Sequence, residues 1–439
     1  MKATSWGPVV ISGLCIFGPS CGSDEAPTEA MTGELRPGIF RLEGISPGLS
    51  GDDLEPLGAL VGDASVVALG ESVHTTRGYS EAKDRLFRYL VTELGFRVMA
   101  FESPRTAARR VGRYVDTCVG EASAEVTRGL FGVWANQSVL ELVEWMCAWN
   151  RAQPDDPVRF VGFDIQQPWA DFGALRSVLQ PMGAEATPLI DALDGCEGAG
   201  ASSAANYYRG EVGQIRLADH RSCLGGLDAL DAYVAAERDR IVASTDASDV
   251  EELERALIGI RAFHLQSFYS ERNALNPTPS RKLSYVSRDR GMARIALRQR
   301  DVDFPGQKIA IWAHNSHISR AHHQVEGYWG GARSMGTFMA EALADDYFAL
   351  MVTGHDVSIN WPGIGVGPAA PVSDRQSLEA KLHRLDSPFL LVDLVDPGAE
   401  LPFVASDPLA FAHGLGSGVP RDQFQAVLFI EVVEMMRRL

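Results

Sequence analysis

Seven short apolar runs constrain the fold of this 439-residue chain more than any other feature of its sequence. The first four span residues 65–71, 97–103, 158–164 and 308–315, and three more follow at 347–353, 389–394 and 424–430. Runs that stay apolar without alternation are typical of strands buried on both faces, as in a parallel sheet covered by helices. The sequence therefore predicts an α/β fold with a mostly parallel central sheet flanked by helices.

Helical periodicity fills the stretches between these runs. Residues 80–94 carry apolar side chains on one face, and Gly95 is placed to end that helix. Residues 136–151 predict another helix, and the stretch from about 226 to 300 keeps helical periodicity with few strand signals. We therefore predict a long helical insertion or subdomain at about 200–302, within one α/β domain spanning residues 39–439.

The first 38 residues indicate targeting and a tether. Lys2 precedes a short apolar stretch, and small residues lead to Cys21, which together predict a signal peptide over residues 1–21. The sequence before Cys21 resembles a bacterial lipoprotein cleavage site, with Gly18 where a leucine is usual. Residues 22–38 have the composition of a flexible tether. We expect an exported protein, lipid-anchored to the bacterial membrane and facing the periplasm or cell surface. Plain secretion and a cytosolic location are the alternatives.

Four cysteines follow this segment: Cys118, Cys147, Cys196 and Cys223. In an oxidising compartment they suggest up to two disulfides, and three pairings are possible. Cys196 and Cys223 lie in surroundings typical of helix ends, so this pair is favoured. Four unpaired buried cysteines are the alternative.

Potential catalytic side chains end four of the apolar runs: Glu71, Glu102, Asp164 and His314. In open parallel α/β sheets, ligands bind outside the carboxyl ends of the strands. Because these ends meet at one edge, we expect the four residues to converge there although they are distant in sequence. Asp164 is a candidate for binding substrate.

Glu71 and His74 fall within one turn of each other directly after the first run. A carboxylate near an imidazole can orient it and raise its basicity, as a general base for water requires. A capped turn with a surface histidine is the alternative. Ser72 lacks the G-x-S-x-G context that exposes a nucleophile, so we do not assign it that role. His322 and His323 are interpreted as solvated loop residues.

Four further residues join His314 as candidates for the same site. His314 and His317, three positions apart just past a strand, could supply an acid, an oxyanion donor or metal ligands. Lys83 could point back towards the site and bind a carbonyl or oxyanion; a solvated lysine is the alternative. Trp134 and Trp169 follow strand-end loops and could line an apolar substrate pocket, although tryptophan is more often packed in the core.

Taken together, these motifs resemble the erythromycin esterase family. The resemblance covers roughly residues 40 to 435 and implies hydrolysis of an ester or lactone without a required metal or other cofactor. By resemblance, His74 is the general base for water, and Glu71 and Glu102 orient it or the water. His314 and His317 would bind the carbonyl, and Lys83 stands where the family has Lys or Arg. The matching pieces are residues 69–74, 83–90 with 95–96, 101–102, 162–164 with Gln166, and 312–317.

The sequence departs from the family pattern around the proposed base. The family has a small residue and then Thr before this histidine and Gly after it, whereas here Ser72 and Val73 precede His74 and Thr75 follows. The chemistry of the motif is retained, but the shape of the pocket is expected to differ.

Two alternatives use the same residues differently. Glu71, His74, Glu102 and His314 also form a suitable donor set for a divalent metal, which predicts metal-assisted hydrolysis of an ester or peptide. A non-catalytic surface protein that binds a polysaccharide or small ligand is the second alternative. The formal net charge of -17 argues against nucleic acid as a partner, because phosphate binding needs clustered Lys and Arg. The expected partners are therefore a small-molecule ester or macrolide-like substrate and, through the lipid anchor, the membrane.

Overall fold

A ten-stranded sheet forms the centre of the computed structural model, which describes residues 33–197, 217–245, 247–275, 277–327, 331–361, 365–372, 374–395, 408–411 and 416–439. Two further strands, β10 and β11, form a separate two-stranded sheet, and Ser417 of β11 also forms an isolated antiparallel bridge with Glu326. The strands in chain order are β1 (Gly33–Arg36), β2 (Ile39–Arg41), β3 (Val66–Leu69), β4 (Phe96–Pro104), β5 (Arg159–Asp164), β6 (Lys308–Trp312), β7 (Tyr347–Trp361), β8 (Gly365–Pro371), β9 (Phe389–Asp393), β10 (Leu409–Phe411), β11 (Gly416–Gly418) and β12 (Ala426–Val433).

The central strands of the sheet are parallel, as the apolar runs predicted. The order across the sheet is β1-β2-β9-β12-β7-β3-β6-β4-β5, and β8 pairs with the far part of β7. All neighbours from β12 to β5 run parallel, whereas β1, β2, β9 and β8 pair antiparallel. Each of the seven apolar runs forms one of these strands. The predicted fold class is therefore confirmed.

Helices cover both faces of the sheet. Alternate residues of β3 point to opposite faces, so Val67 and Leu69 pack into one core and Val66 and Ala68 into the other. The helices are α1 (Glu55–Val61), α2 (Arg77–Leu94), α3 (Arg105–Thr117), α4 (Ala122–Gly129), α5 (Gln137–Ala152), α6 (Trp169–Leu179), α7 (187–197), α8 (Leu217–Ala236), α9 (Arg238–Ser244), α10 (Ala247–Leu275), α11 (Pro277–Arg298), α12 (Asn315–Ile318), α13 (Met335–Leu343), α14 (Leu378–His383) and α15 (Pro420–Gln423).

The predicted helical insertion corresponds to α8–α11 in the described part of the chain. A third apolar core, which includes Phe172, Leu227 and Ile260, joins α6 to the helices of this insertion. Helix α11 also contributes Met292 and Ile295 to a core against the sheet. The insertion is thereby packed onto the strands, with α11 lying over them.

Two disulfides link the four cysteines considered above. The favoured pair, Cys196–Cys223, is confirmed, and Cys118 is bonded to Cys147. The Cys196–Cys223 bond lies in the third core, whereas the Cys118–Cys147 bond joins the end of α3 to α5. The alternative of four unpaired cysteines is therefore wrong.

The amino-terminal predictions fall mostly on residues 1–32, which lie outside the described residues. The last part of the predicted tether forms β1, which pairs with β2 at the edge of the sheet. Within the described residues, no helix combines the length and apolar character needed to cross a bilayer. The signal peptide and the lipidation of Cys21 stay predictions.

Residues 434–439 run beside two loops at one edge of the sheet. One loop contains Thr75, and the other, just before α5, contains Ala135. The segment thus ties together two stretches that are separated by α2, β4, α3 and α4. The backbone bonds are Arg77 N–H to Glu434 O, Met436 N–H to Thr75 O, Gln137 N–H to Arg437 O and Leu439 N–H to Ala135 O, between 2.7 and 3.2 Å long.

Candidate active site

Strand register brings the four predicted strand-end residues into one row. Trp312 of β6 lies beside Leu69 of β3 and Phe101 of β4, and Phe101 lies beside Gly162 of β5. Each candidate follows its strand position by one or two residues, so all four reach the same edge. From β3 to β5 the row is Glu71, His314, Glu102 and Asp164.

Glu71 holds both His74 and Lys83. One carboxylate oxygen lies 2.5 Å from His74 Nδ1, and the other lies 2.8 Å from Lys83 Nζ. Glu71 and Lys83 are fully buried, whereas 18% of the His74 side chain is exposed. With Nδ1–H donated to Glu71, the lone pair of neutral His74 is on Nε2. This arrangement suits the predicted role of His74 as a general base with an orienting carboxylate.

Lys83 lies among aromatic side chains, next to the Glu71 carboxylate that holds His74. Its ammonium nitrogen is 4.1 Å from the ring centre of Trp312 and 5.3 Å from that of Trp134. Burial lowers the pKa of Lys83 to about 8, although Glu71 opposes this effect. Because the Lys83 side chain is fully buried, it could act on a substrate carbonyl only indirectly, through Glu71 and His74.

Trp134, in the loop before α5, packs against the ring of His74. Its ring meets the His74 ring edge-on with centres 4.8 Å apart, and its indole N–H donates to the Glu102 carbonyl at 2.9 Å. The side chain is 1% exposed, so it shapes the site from below. Trp169 packs against Phe263 on the helical side instead. Substrate contact by either tryptophan stays a prediction.

Arg288 of α11 joins the carboxylates of β4 and β5. Its Nη2 donates to Glu102 at 2.8 Å and to Asp164 at 2.5 Å. Burial alone would raise the pKa of Glu102, but His317 and Arg288 hold it well below its usual range. Both carboxylates are buried, and 14% of the Arg288 side chain is exposed. Asp164 is therefore linked to Glu102 through the Arg288 guanidinium.

His314 is held by hydrogen bonds at both ring nitrogens. Nδ1 accepts from the Ser316 backbone at 3.1 Å, which requires the proton to be on Nε2, and Nε2–H donates to the Ser72 carbonyl at 2.9 Å. Burial and the neighbouring His74 lower the pKa of His314 well below its usual range. The ring centre lies 5.1 Å from that of His74. His314 is thus a neutral imidazole, and its bond to Ser72 supports the loop that contains His74.

His317 lies between α11 and the row of carboxylates. Asp289 accepts from Nδ1 at 2.8 Å, and Arg288 Nη1 approaches Nε2 at 2.9 Å. Burial would lower the pKa of His317, but Asp289 outweighs it and raises that pKa, with Arg288 opposing. Tyr285 stacks on the ring at 5.5 Å between centres. The structure brings His317 into contact with Glu102 as well, at 3.5 Å.

Sequence reasoning missed the contribution of α11. Tyr285, Arg288 and Asp289 are spaced at i, i+3 and i+4, which puts them on one face of that helix. A polar stripe of this kind usually indicates a solvated face, so no signal in the sequence distinguished this face from a solvated one.

The interpretation of His322 as a solvated residue is wrong. Its side chain is fully buried, its Nδ1–H donates to the Ala332 carbonyl at 3.1 Å, and its ring stacks on Tyr285. His323 is exposed, as expected.

Two backbone features set the position of the loop that contains His74. A Cβ on Gly70 would overlap the Asn315 side-chain oxygen, so this close approach of β3 to α12 requires glycine. Thr75 adopts a positive φ of 70°, which is strained for a β-branched residue. The Met436 N–H holds its carbonyl. Glycine at this position in the family pattern has the same conformation available at no steric cost.

The predicted metal-donor set is committed to protein contacts. Glu71 bonds His74 and Lys83, both ring nitrogens of His314 are bonded, and Glu102 accepts from Arg288 and the His314 N–H. A metal held by these residues would have to replace several of these bonds. Within the described residues, three or more ligand atoms lie near one another in two other groups, Cys196–Cys223–His264 and His355–His383–Glu431. The two cysteines of the first group are bonded to each other.

Comparison with known proteins gives consistent matches over most of the chain. The erythromycin esterase family model matches residues 91–432. A Bacillus subtilis (strain 168) protein named as a hydrolase, YbfO, is 23% identical over 411 residues, covering 87% of this chain and 86% of its own. An erythromycin esterase type II of Escherichia coli is 22% identical over 320 residues, covering 69% and 72%.

Solved structures share the fold. A Bacillus cereus protein superposes with a TM-score of 0.75 at 19% identity, covering 91% of this chain and 96% of its own. A mutant of the erythromycin esterase EreC in its open conformation gives a TM-score of 0.72 at 19% identity, covering 89% and 97%. At these identities the similarity establishes the architecture, and the chemistry has to be argued from the site.

Proposed function

Because the chain belongs to the erythromycin esterase family, we propose that it hydrolyses an ester or lactone with water activated by His74. The observation that carries this proposal is the Glu71–His74 pair at the strand edge. The imidazole is oriented by a buried carboxylate through Nδ1 and keeps part of its ring at the surface. A general base for water requires both properties.

The reaction follows from the positions of these groups. His74 Nε2 takes a proton from water as the oxygen attacks the ester carbonyl, and Glu71 stabilises the imidazolium that forms. The carbonyl oxygen gains negative charge in the tetrahedral intermediate, and Arg288 is the cationic group that can stabilise it. The C–O bond to the leaving alkoxide then breaks, and His74 returns the proton to that oxygen. The products are a carboxylic acid and an alcohol, or one hydroxy acid from a lactone.

The proposal assigns Lys83 a positioning role. Its buried ammonium lies 2.8 Å from the Glu71 carboxylate that orients His74, and it compensates the charge of that carboxylate. Glu102 has a comparable role on the other side, since it fixes Arg288 and the His314 backbone.

Lys83→Met is expected to lower kcat/KM and to abolish a decline of kcat/KM above about pH 8. Burial lowers the pKa of Lys83 to about 8, so above this pH the unchanged protein loses the cation beside Glu71. The measurement is a pH–rate profile beside Lys308→Met, which removes a lysine from the opposite end of the parallel strands. A decline above about pH 8 that persists in Lys83→Met would assign Lys83 a purely structural role.

Metal-dependent hydrolysis by the same residues is separated from this mechanism by one experiment. The purified protein is assayed on a panel of lactones and simple esters, with a chelator and again with added divalent metal. Turnover that resists the chelator supports the water-activating histidine. Turnover that needs metal supports the metal-dependent alternative, and no turnover by the folded protein supports a binding protein.

We also propose that the protein is exported and anchored by lipid at Cys21. The two disulfides support an oxidising compartment. In a bacterial host, Cys21→Ser is expected to move the protein from the membrane fraction to the soluble fraction, while Cys15→Ser leaves it at the membrane. The measurement is immunoblotting of the two fractions. An unchanged distribution of Cys21→Ser would contradict anchoring at this residue.

A further inference from the structure

Two histidines and a glutamate meet at the side of the sheet formed by β7 and β12. His383 Nδ1 lies 2.7 Å from Glu431 Oε1, and His355 Nδ1 lies 3.9 Å from the same oxygen. The two imidazole rings are parallel, with an interplanar angle of 9° and centres 4.1 Å apart. Both Nδ1 atoms therefore face one carboxylate oxygen.

The fold holds this cluster on three elements. In the parallel pairing of β12 with β7, Ile430 lies beside Gly354 and Val432 beside Asp356, so Glu431 and His355 are neighbours on one face. His383 is the last residue of α14. The Pro388 carbonyl accepts from the Glu431 N–H at 2.9 Å and fixes the end of β12 to the segment before β9. The cluster is thus built on ordered backbone.

We propose that His355, His383 and Glu431 bind a divalent transition metal, for which Zn²⁺ is the suitable probe. Two imidazoles and one carboxylate are the ligand types that Zn²⁺ prefers. Ligand atoms around tetrahedral zinc lie about 3.3 Å apart. The observed separations of 2.7 and 3.9 Å lie on either side of this value. Because the two rings are parallel, they must turn about their side-chain bonds until both Nδ1 lone pairs point to one metal ion.

Asp356 adds a further oxygen at the same place. Its carboxylate accepts from His355 Nδ1 at 2.8 Å, and 37% of its side chain is exposed. It can give way when the metal takes Nδ1, or turn to supply a fourth ligand. With His383 at 48% exposure, the site is open to metal from solution.

A metal here would reinforce the region that holds the general base. It would join β7 and α14 to β12, and the segment that follows β12 bonds the backbone of Thr75 and Arg77. The proposed metal has a structural role and takes no part in the hydrolysis. Its binding is therefore independent of whether the ester or lactone is cleaved.

The test is calorimetric titration of the chelator-treated, full-length protein with Zn²⁺, and with Co²⁺ to record its absorption spectrum. His383→Ala and Glu431→Gln are expected to lose one binding event, or to weaken it by at least about 100-fold. His323→Ala, which removes another exposed imidazole, is the matched control and should bind as the unchanged protein does.

The location of binding decides the outcome. His74→Ala should retain this event, since the active site contributes none of its ligands. A rise in Tm with Zn²⁺ that is lost in His383→Ala would further support the site. Binding that survives in both His383→Ala and Glu431→Gln, or that is absent from the unchanged protein, would overturn the proposal.

Discussion

His74→Ala is expected to lower kcat/KM for a cleaved ester or lactone by about 10²- to 10⁴-fold. Alanine leaves water without a base at the carboxyl ends of the strands, while the Arg288 guanidinium proposed to stabilise the oxyanion stays in place. The variant should remain folded, because Glu71 keeps its contact with Lys83. The measurement is steady-state kinetics on whichever substrate of the panel is cleaved.

The control for this variant is His323→Ala, an exposed histidine outside the site. Its rate should match that of the unchanged protein. His74→Ala should also show no recovery with added divalent metal. Retention of more than a tenth of the activity by His74→Ala would refute the assignment of the general base.

Arg288→Ala is expected to lower the free energy of unfolding by about 3–5 kcal/mol, because it leaves Glu102 and Asp164 as buried charges without their cation. The same change should reduce turnover, since the guanidinium is the cationic group assigned to the oxyanion. Guanidinium denaturation followed by circular dichroism measures the first effect. Arg240→Ala, which breaks an exposed ion pair with Glu185, should change stability by less than about 1 kcal/mol.

The pH dependence of this loss has a defined sign. The pKa of Glu102 is depressed in the folded protein, so its contribution to stability is present above the ordinary carboxyl pKa of about 4 and is lost as the pH falls. Without Arg288 that depression is weakened. The difference in stability between the unchanged protein and Arg288→Ala should therefore stay constant from pH 7 to about 4 and shrink as the pH falls below about 4. A difference that stays constant below about pH 4 as well would show that lost packing, not charge, explains the effect.

The carboxyl ends of the strands could be predicted from sequence because burial on both faces leaves an unbroken apolar run. A charged residue directly after such a run stands out, and the parallel register then fixes its neighbours. Glu71, Glu102, Asp164 and His314 were identified in this way, and the structure brings them into one row. Their catalytic and binding roles stay predictions.

The helical side of the site could not be predicted by the same logic. Helix periodicity identifies apolar stripes, and the face of α11 that carries Arg288 and Asp289 is polar. Its burial depends on carboxylates from β4 and β5, which are distant in the chain. Lys83 was placed near the site by its spacing, but its complete burial depends on Trp134 and Trp312. Tertiary charge pairing of this kind leaves no periodic trace.

The backbone bonds of residues 434–439 have a consequence for the order in which the protein becomes competent. Synthesis proceeds from the amino terminus, so the Thr75 carbonyl and the loop before α5 await partners that are made after β12. The loop that contains His74 therefore gains these bonds only after residues 434–439 have been synthesised. A molecule without residues 434–439 can contain every candidate catalytic residue and still lack the support that positions His74.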